Sequence, residues 1–345
     1  MDKTFSLRFG PFSRIIHLRT VLVVSCLIFL TLFQIILSLS VGKIPISVTE
    51  VLNEFFFRGN GDYHFILETL RLPRILMALM IGAALALSGL ILQSIIRNPL
   101  ASPDILGITA GASASAVFFM SFLSTSLTIQ WLPVFATFGA WLTALLIYIL
   151  AWRNGVTPIR LVLIGIGLSS IMGAITTLVL VLSPLTTTLS AYVWLTGSIY
   201  GALWQEVTQL AMWLAVLLFL MFWIARHVNP HELGDDILVG LGIRPERHRM
   251  WLLFLAVALA AISVAYAGAI AFVGLIAPHI ARYLVPRSFP DLAITACLVG
   301  ANLLMLADLV GRTLFLPKDL PAGIFVSLLG TPFFLYLLFR QRRSF

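Results

Sequence analysis

Charge is what this chain has least of. Asp, Glu, Lys and Arg together make up 10% of its 345 residues, far below the roughly 25% of a soluble domain. Lysine is scarcer still, confined to Lys3, Lys43 and Lys318. None of them sits in a G-x-x-x-x-G-K-[ST] loop, so the chain has no P-loop to cradle ATP, and any ATP-driven work needs a separate ATPase. Cys26 and Cys297 are the only cysteines, and both lie in apolar runs, which excludes a disulfide framework or a cysteine metal site. Enzyme motifs stop short. His231-Glu232 opens an H-E-x-x-H pattern that Asp235 breaks, and Gly165-Ile166-Gly167 is half a dinucleotide fingerprint with no strand before it. With no nucleophile or metal set, the chain reads as a non-enzyme with no catalytic residue, metal or cofactor of its own. Its +8 balance is scattered singly between apolar runs rather than gathered on a face, which argues against nucleic acid.

What the chain has in excess is hydrophobic residues, at 60%. The apolar runs are Thr20–Val41, Ile75–Ile96, Ile105–Leu123, Trp131–Trp152, Pro158–Leu182, Val207–Ile224, Met250–Ala271, Phe272–Val285, Ala293–Leu309 and Pro321–Phe339. At roughly 20 residues per crossing they predict an all-α polytopic membrane protein of about ten transmembrane helices in a single domain, 1–345. Phe272–Val285 is too short for a full crossing and reads as a partial or re-entrant helix, permitted where protein covers its backbone. Leu189–Tyr200, short and Trp-rich, reads as a surface helix. The first run is too long for a signal peptide and lacks a small-residue cleavage site. A polar segment after it carries Val48, Val51, Leu52 and Phe55 at helical spacing. With both termini cytoplasmic, only Lys43, Arg58, Arg71, Arg74, Arg312 and Lys318 of 22 basic residues fall outside, a positive-inside excess. Trp152, Trp223 and Trp251 then mark the inner interface, and Trp131, Trp194 and Trp204 the outer one.

The longest polar stretch, residues 226–249, balances Arg226, Arg244, Arg247 and Arg249 against Glu232, Asp235, Asp236 and Glu246. A lipid-binding loop would be basic. Asn229-Pro230 with Glu232 is a helix start, Gly234 a stop, and Asp235 a second cap ahead of Ile237, Leu238 and Leu241. Two short helices with apolar teeth suit a protein partner; an ordinary solvated loop has the same composition. Gly82 and Ala86, and Gly107, Gly111 and Ser115, recur every four residues, as close helix contacts require. The fifth run, with Gly165, Gly167, Ser169, Ser170, Gly173, Thr176 and Thr177, suits either a solute path or tight packing. His279 suits a helix-packing hydrogen bond. Asp308 and Arg312, four apart, are predicted to form a structural ion pair at the outer end of the ninth span.

Several motifs carry a family resemblance. Arg71-Leu72-Pro73-Arg74, Ile81-Gly82-Ala83-Ala84-Leu85-Ala86 and the stretch Arg97-Asn98-Pro99-Leu100-Ala101-Ser102-Pro103-Asp104-Ile105-Leu106-Gly107 resemble permeases of the iron-siderophore and cobalamin ABC importers. So do Gly268 to Arg282, Ala307-Asp308-Leu309-Val310-Gly311-Arg312 and Leu320-Pro321-Ala322-Gly323. Trp194-Leu195-Thr196-Gly197-Ser198 is closest to the ferric-chelate branch, especially ferric citrate permeases.

The resemblance implies a type II ABC importer permease fold in the bacterial inner membrane, moving a ferric siderophore or other ferric chelate. It implies a second permease subunit, identical or related, with spans five and ten lining a path between the two. Two cytoplasmic ATPase subunits, which use ATP and Mg, would dock on the 226–249 loop, where Leu233, Gly234, Asp235 and Asp236, then Leu238, Leu241 and Gly242, match the coupling pattern. Thr157, Pro158 and Ile159 match the cytoplasmic gate, and Arg71, Arg74 and Arg312 the docking positions for an extracytoplasmic solute-binding protein. Cobalamin or haem import by the same architecture, and an ion-coupled secondary transporter, are the alternatives. The second of these would have only Asp308 as an intramembrane carboxylate.

Overall fold

In lipid a backbone must satisfy its own polar groups, so long apolar runs fold as helices, and the computed structural model of this chain obeys that rule. It describes residues 4–9, 12–56, 61–153, 155–224, 239–240, 245–286 and 288–341. The helices are α1 (Leu18–Ser40), α2 (Val48–Phe56), α3 (Leu72–Ile96), α4 (Ile108–Phe118), α5 (Leu132–Ala151), α6 (Pro158–Leu182), α7 (Leu185–Leu195), α8 (Trp204–Ile224), α9 (Pro245–Ala267), α10 (Val273–Leu284), α11 (Phe289–Thr313) and α12 (Ala322–Gln341). Among the described residues, eight helical segments are long and apolar enough to cross a membrane; Ile108–Leu123 and the 12-residue α10 are shorter and complete the ten expected runs. A π-helical turn, Phe65–Arg71, leads straight into α3, so this span starts well before the apolar run that predicted it. The surface helix α7 likewise begins earlier than expected, at the residue after Pro184.

Two features were not anticipated. An antiparallel hairpin, β1 (Thr4–Phe9) and β2 (Phe12–His17), precedes α1; Phe5, Leu7 and Phe9 alternate with polar residues at the period of a strand. Helix α2 opens on a capping box, in which the Glu50 amide donates to Ser47 Oγ at 3.2 Å and the Ser47 amide to the Glu50 carboxylate at 2.9 Å. The Ser47 hydroxyl, which donates to the Glu50 carboxylate at 2.7 Å, and then the Ser47 amide hold the exposed Glu50 carboxyl below its usual value.

Helix α3 forms the centre, packed by α11, α9 and α10. Its most apolar stretch is 78% buried, against 11% for α6 at the periphery. Glycine makes the central crossings possible. A Cβ on Gly82 would run into the Gly300 carbonyl of α11, and one on Gly89 into the Gly274 carbonyl of α10. Lipid tails give helices no hydrophobic reason to associate, so such close approach is where van der Waals attraction is gained. Polar side chains tie the helices further: Ser88 Oγ donates to Ala256 O at 2.6 Å, Asn302 Nδ2 to Thr31 Oγ1 at 2.9 Å, and Ser115 Oγ to Phe135 O at 2.7 Å. His279 packs its ring against those of Tyr283 and Phe333, centroids 5.1 and 5.5 Å away.

Candidate functional site

The arginines of the Arg-Leu-Pro-Arg motif meet at one end of the bundle. Pro73 stands in the first turn of α3, directly after the π-helical turn that ends on Arg71, and Arg71 and Arg74 on either side of it are both buried. Arg74 Nε donates to both oxygens of Asp308 at 2.9 and 3.0 Å, its Nη2 donates to Asp308 Oδ1 at 2.7 Å, and Nη1 and Nη2 donate to Asp319 at 2.7 and 2.8 Å. One guanidinium thus holds two carboxylates in fork geometry, with the Tyr200 ring 5.7 Å from its Cζ. The predicted Asp308–Arg312 pair is present only loosely, at 3.8 Å. Arg74 takes Asp308 instead, approaching from the neighbouring helix α3 with two of its nitrogens, whereas Arg312 reaches across to the end of α1 and donates to the carbonyls of Ser38 and Val41. Arg71 donates to the carbonyls of Leu39 and Ile44.

The three arginines assigned to docking are therefore not free rim charges: Arg71 and Arg74 are buried, and the Arg312 side chain is 9% exposed. They shape a depression of about 280 Å³, at whose lip Lys43 and Lys318 are exposed. Five cations line it against the Asp319 carboxylate, with Asp308 behind. Sequence reasoning missed Lys43, Lys318 and Asp319; the last stands two residues ahead of Pro321, where α12 is about to start, and that position was the available signal.

The other end holds the predicted gate. Thr157 is the extended N-cap of α6, Pro158 its first residue, and Ile159 is 73% exposed. The turn before them is clasped by the start of α9. Buried Arg249 donates to the Val156 carbonyl at 2.5 Å and to Glu246 Oε1 at 3.1 Å, while the Val156 amide points at Glu246 Oε2 at 3.4 Å. Arg160 closes the same turn by donating to the Arg153 carbonyl at 3.2 Å. Tyr266 at the far end of α9 bonds Gln209 at 3.0 Å, and Trp204 of α8 bonds the Glu68 carbonyl beside the arginines at 2.7 Å. The 23 residues of α9 therefore separate the two ends by about 34 Å at about 1.5 Å per residue. The coupling candidates Leu233, Gly234, Asp235, Asp236, Leu238, Leu241 and Gly242 lie outside the described residues.

Two family motifs meet near this end. The Phe272 amide, at the left-handed N-cap of α10, donates to Asp104 Oδ2 at 3.1 Å. Burial pushes the Asp104 carboxyl up to about 6, against the hydrogen bonds from Phe272 and Thr109. Along α6, Gly167, Ser170, Gly173 and Thr177 are exposed; a Cβ on either glycine would meet nothing within 4 Å. The two hydroxyls fold back to the helix's own carbonyls at 3.1 and 3.0 Å.

Membrane-length helices around a glycine-jointed core, an ion cluster at one end, a clasped turn at the other and one small-residue helix left uncovered are the build of a membrane permease. The chain belongs to the FecCD transport family, which matches residues 30–340. It is 54% identical over 342 residues to the achromobactin transport system permease protein CbrC of Dickeya dadantii, covering 99% of this chain and 98% of that one. A probable siderophore transport system permease protein of Bacillus subtilis, YfhA, is 45% identical over 320 residues, covering 91% and 93%. Among solved structures, an inward-facing putative metal-chelate type ABC transporter superposes with a TM-score of 0.83 at 28% identity, over 93% of this chain and 99% of its own.

Proposed function

We propose that this chain is the membrane-spanning subunit of an ATP-driven importer that carries a ferric siderophore or another ferric chelate across the inner membrane. The observation that carries the reading is the 54% identity to an achromobactin permease along essentially the whole chain. Both termini face the cytoplasm in this reading, which puts the arginine end outside and the clasped turn inside. A second permease subunit covers the exposed face of α6, and the solute passes between the two. An acidic surface of the solute-binding protein docks over the Lys43/Lys318 lip, with Arg71, Arg74 and Arg312 shaping the floor.

Two ATPase subunits dock on the 226–249 loop. They shift the permease between access states only by binding one state better than the other. The loop runs directly into Glu246 and Arg249, so a displacement there reaches Val156 and the Thr157–Ile159 gate through two side chains.

An iron-starved strain lacking the gene tests the substrate class. With labelled ferric citrate, ferric hydroxamate and ferric carboxylate siderophores as probes, uptake from at least one is expected to vanish while cyanocobalamin uptake continues. Loss of cobalamin uptake with every ferric chelate unaffected would overturn the reading.

A further inference from the structure

Away from the arginine cluster and the α6 face, α5 and α8 each pack on α9 and leave a groove between them. Its floor is α9, with Phe254, Ala258, Ile262 and Tyr266; Trp141 of α5 and Trp213 of α8 form its walls. This apolar part has a volume of about 390 Å³. At Pro133, Val134 and Tyr266 it opens into a second cavity of about 730 Å³ with a different lining. There Gln130, Gln205, Glu206, Gln209, Ser190 and Ser198 supply polar groups, and Trp131 and Trp194 supply aromatic ones. Tyr200 lines both this cavity and the arginine depression, so the polar end of the groove lies at the arginine end of the bundle.

Length and charge together select an occupant. From Phe254 to Tyr266 the floor runs about 18 Å at about 1.5 Å per residue, close to the roughly 15 Å of a single leaflet's hydrocarbon. Polar amides and tryptophans at one end, with aromatic and aliphatic side chains below, reproduce the layering of a membrane interface. Glu206 is the one charged residue in either lining, and no Lys or Arg joins it among the described residues. One of its carboxylate oxygens accepts the Leu203 amide at 3.1 Å, which fixes the side chain at the mouth of α8. A cavity whose single charge is a carboxylate and whose lining carries three glutamine side chains suits a primary ammonium, which brings a positive charge and three donors. It does not suit an anionic headgroup, although a chain of net charge +8 would otherwise draw anionic lipid to its surface.

We propose that the groove between α5, α8 and α9 is a binding site for a phospholipid with a primary-amine headgroup, its ammonium at Glu206 and the flanking glutamines and one acyl chain along α9. Nothing in this proposal depends on the transported solute. With the transport reading, the lipid lies in the outer leaflet.

The test is native mass spectrometry of the full chain in its assembled complex, equilibrated with equal amounts of phosphatidylethanolamine, phosphatidylcholine and phosphatidylglycerol of identical acyl chains. Wild type is expected to retain the ethanolamine lipid over each of the others by about threefold, the scale of a partly exposed ion pair. Glu206→Gln keeps an acceptor for the Leu203 amide and is expected to level the three. Thr137→Phe, a half-buried position in the apolar part, is expected to lower retention of all three while the melting temperature stays that of wild type. Preference for the glycerol or choline lipid in wild type, or unchanged retention in a Thr137→Phe protein that assembles normally, would overturn the proposal. If Thr137→Phe fails to assemble, the Glu206→Gln comparison decides alone: a surviving ethanolamine preference contradicts the site.

Discussion

Arg74 and Asp308 stand 234 residues apart in the chain and 2.7 Å apart in the fold. The bond joins the start of α3 to the end of α11, and the same guanidinium also fixes Asp319 in the connection to α12. Removing Arg74 takes its hydrogen bonds from two carboxylates and leaves buried Asp308 with the looser Arg312 contact at 3.8 Å. Arg74→Met is expected to cost about 3–5 kcal/mol, as broken buried pairs do. Arg74→Lys should recover only part of this, because an ammonium cannot present two parallel donors to each carboxylate. Melting of the detergent-purified complex checks it; a wild-type midpoint for Arg74→Met would show the cluster to be structurally idle.

Docking at the same end is expected to respond to the exposed cations. Lys43→Glu and Lys318→Glu should each weaken solute-binding-protein association by roughly 0.2–1 kcal/mol, mostly through the association rate and less at high salt. Arg71→Glu and Arg312→Glu set a carboxylate against backbone carbonyls and should fail at assembly instead. Binding kinetics in nanodiscs at two salt concentrations separate the cases, and Lys variants with wild-type rates at both salts would remove the depression as the docking surface.

The glycines divide by what surrounds them. Gly89→Ala pushes a methyl into the Gly274 carbonyl and is expected to destabilise by about 1–3 kcal/mol. Gly167→Ala meets open space in the single chain, so the isolated subunit should gain about 0.4–1 kcal/mol from the stiffer unfolded chain. If the assembled dimer instead loses stability on Gly167→Ala, the partner subunit covers that face, as the transport reading requires. Equal effects of both substitutions on the isolated subunit would contradict the packing described.

Arg249→Met should loosen the turn before α6. Hydrogen exchange at the amides of residues 155–157 is expected to quicken by about tenfold, since a buried carbonyl loses a charged donor worth about 1.5 kcal/mol. Unchanged exchange there would mean that the clasp carries no mechanical signal.

Asp104 gives a pH dependence of defined sign. Its folded value, about 6, lies above the ordinary 3.8, so the folded state binds the extra proton between those values. Stability from this group is therefore full below pH 3.8 and lost as pH rises through 6, a change of the order of 3 kcal/mol. Asp104→Asn keeps an acceptor for the Phe272 amide and should flatten the dependence. Melting from pH 4 to 8 tests this; identical profiles for both proteins would show that Asp104 does not titrate there.

The membrane architecture was legible because length and hydropathy alone decide it: nine of the ten helical runs are continuous enough to read by eye, and even the short Phe272–Val285 segment announced itself by its length. The spacing of Gly82, Gly111 and Ser115 marked real helix contacts. Partners in space were harder. Asp308 looked paired with Arg312 because only sequence neighbours are visible at helical spacing, whereas Arg74 and Asp319 reach it through the fold. Burial of Arg71 and Arg312 was equally hidden, since their acceptors are backbone carbonyls, which every residue carries. The hairpin and the Ser47–Glu50 capping box were written in the sequence, in alternation and in S-x-x-E, and were overlooked beside the apolar runs. The clasp from Arg249 to Val156 had no sequence signature at all.

The central claim is transport driven by ATP in a partner subunit. Its most direct test is uptake of labelled ferric chelate into proteoliposomes holding this permease, its second permease subunit, the ATPase and the solute-binding protein. Uptake is expected only with ATP and all the components, and it should be indifferent to collapse of proton and sodium gradients. Uptake driven by an ion gradient without ATP would contradict the account.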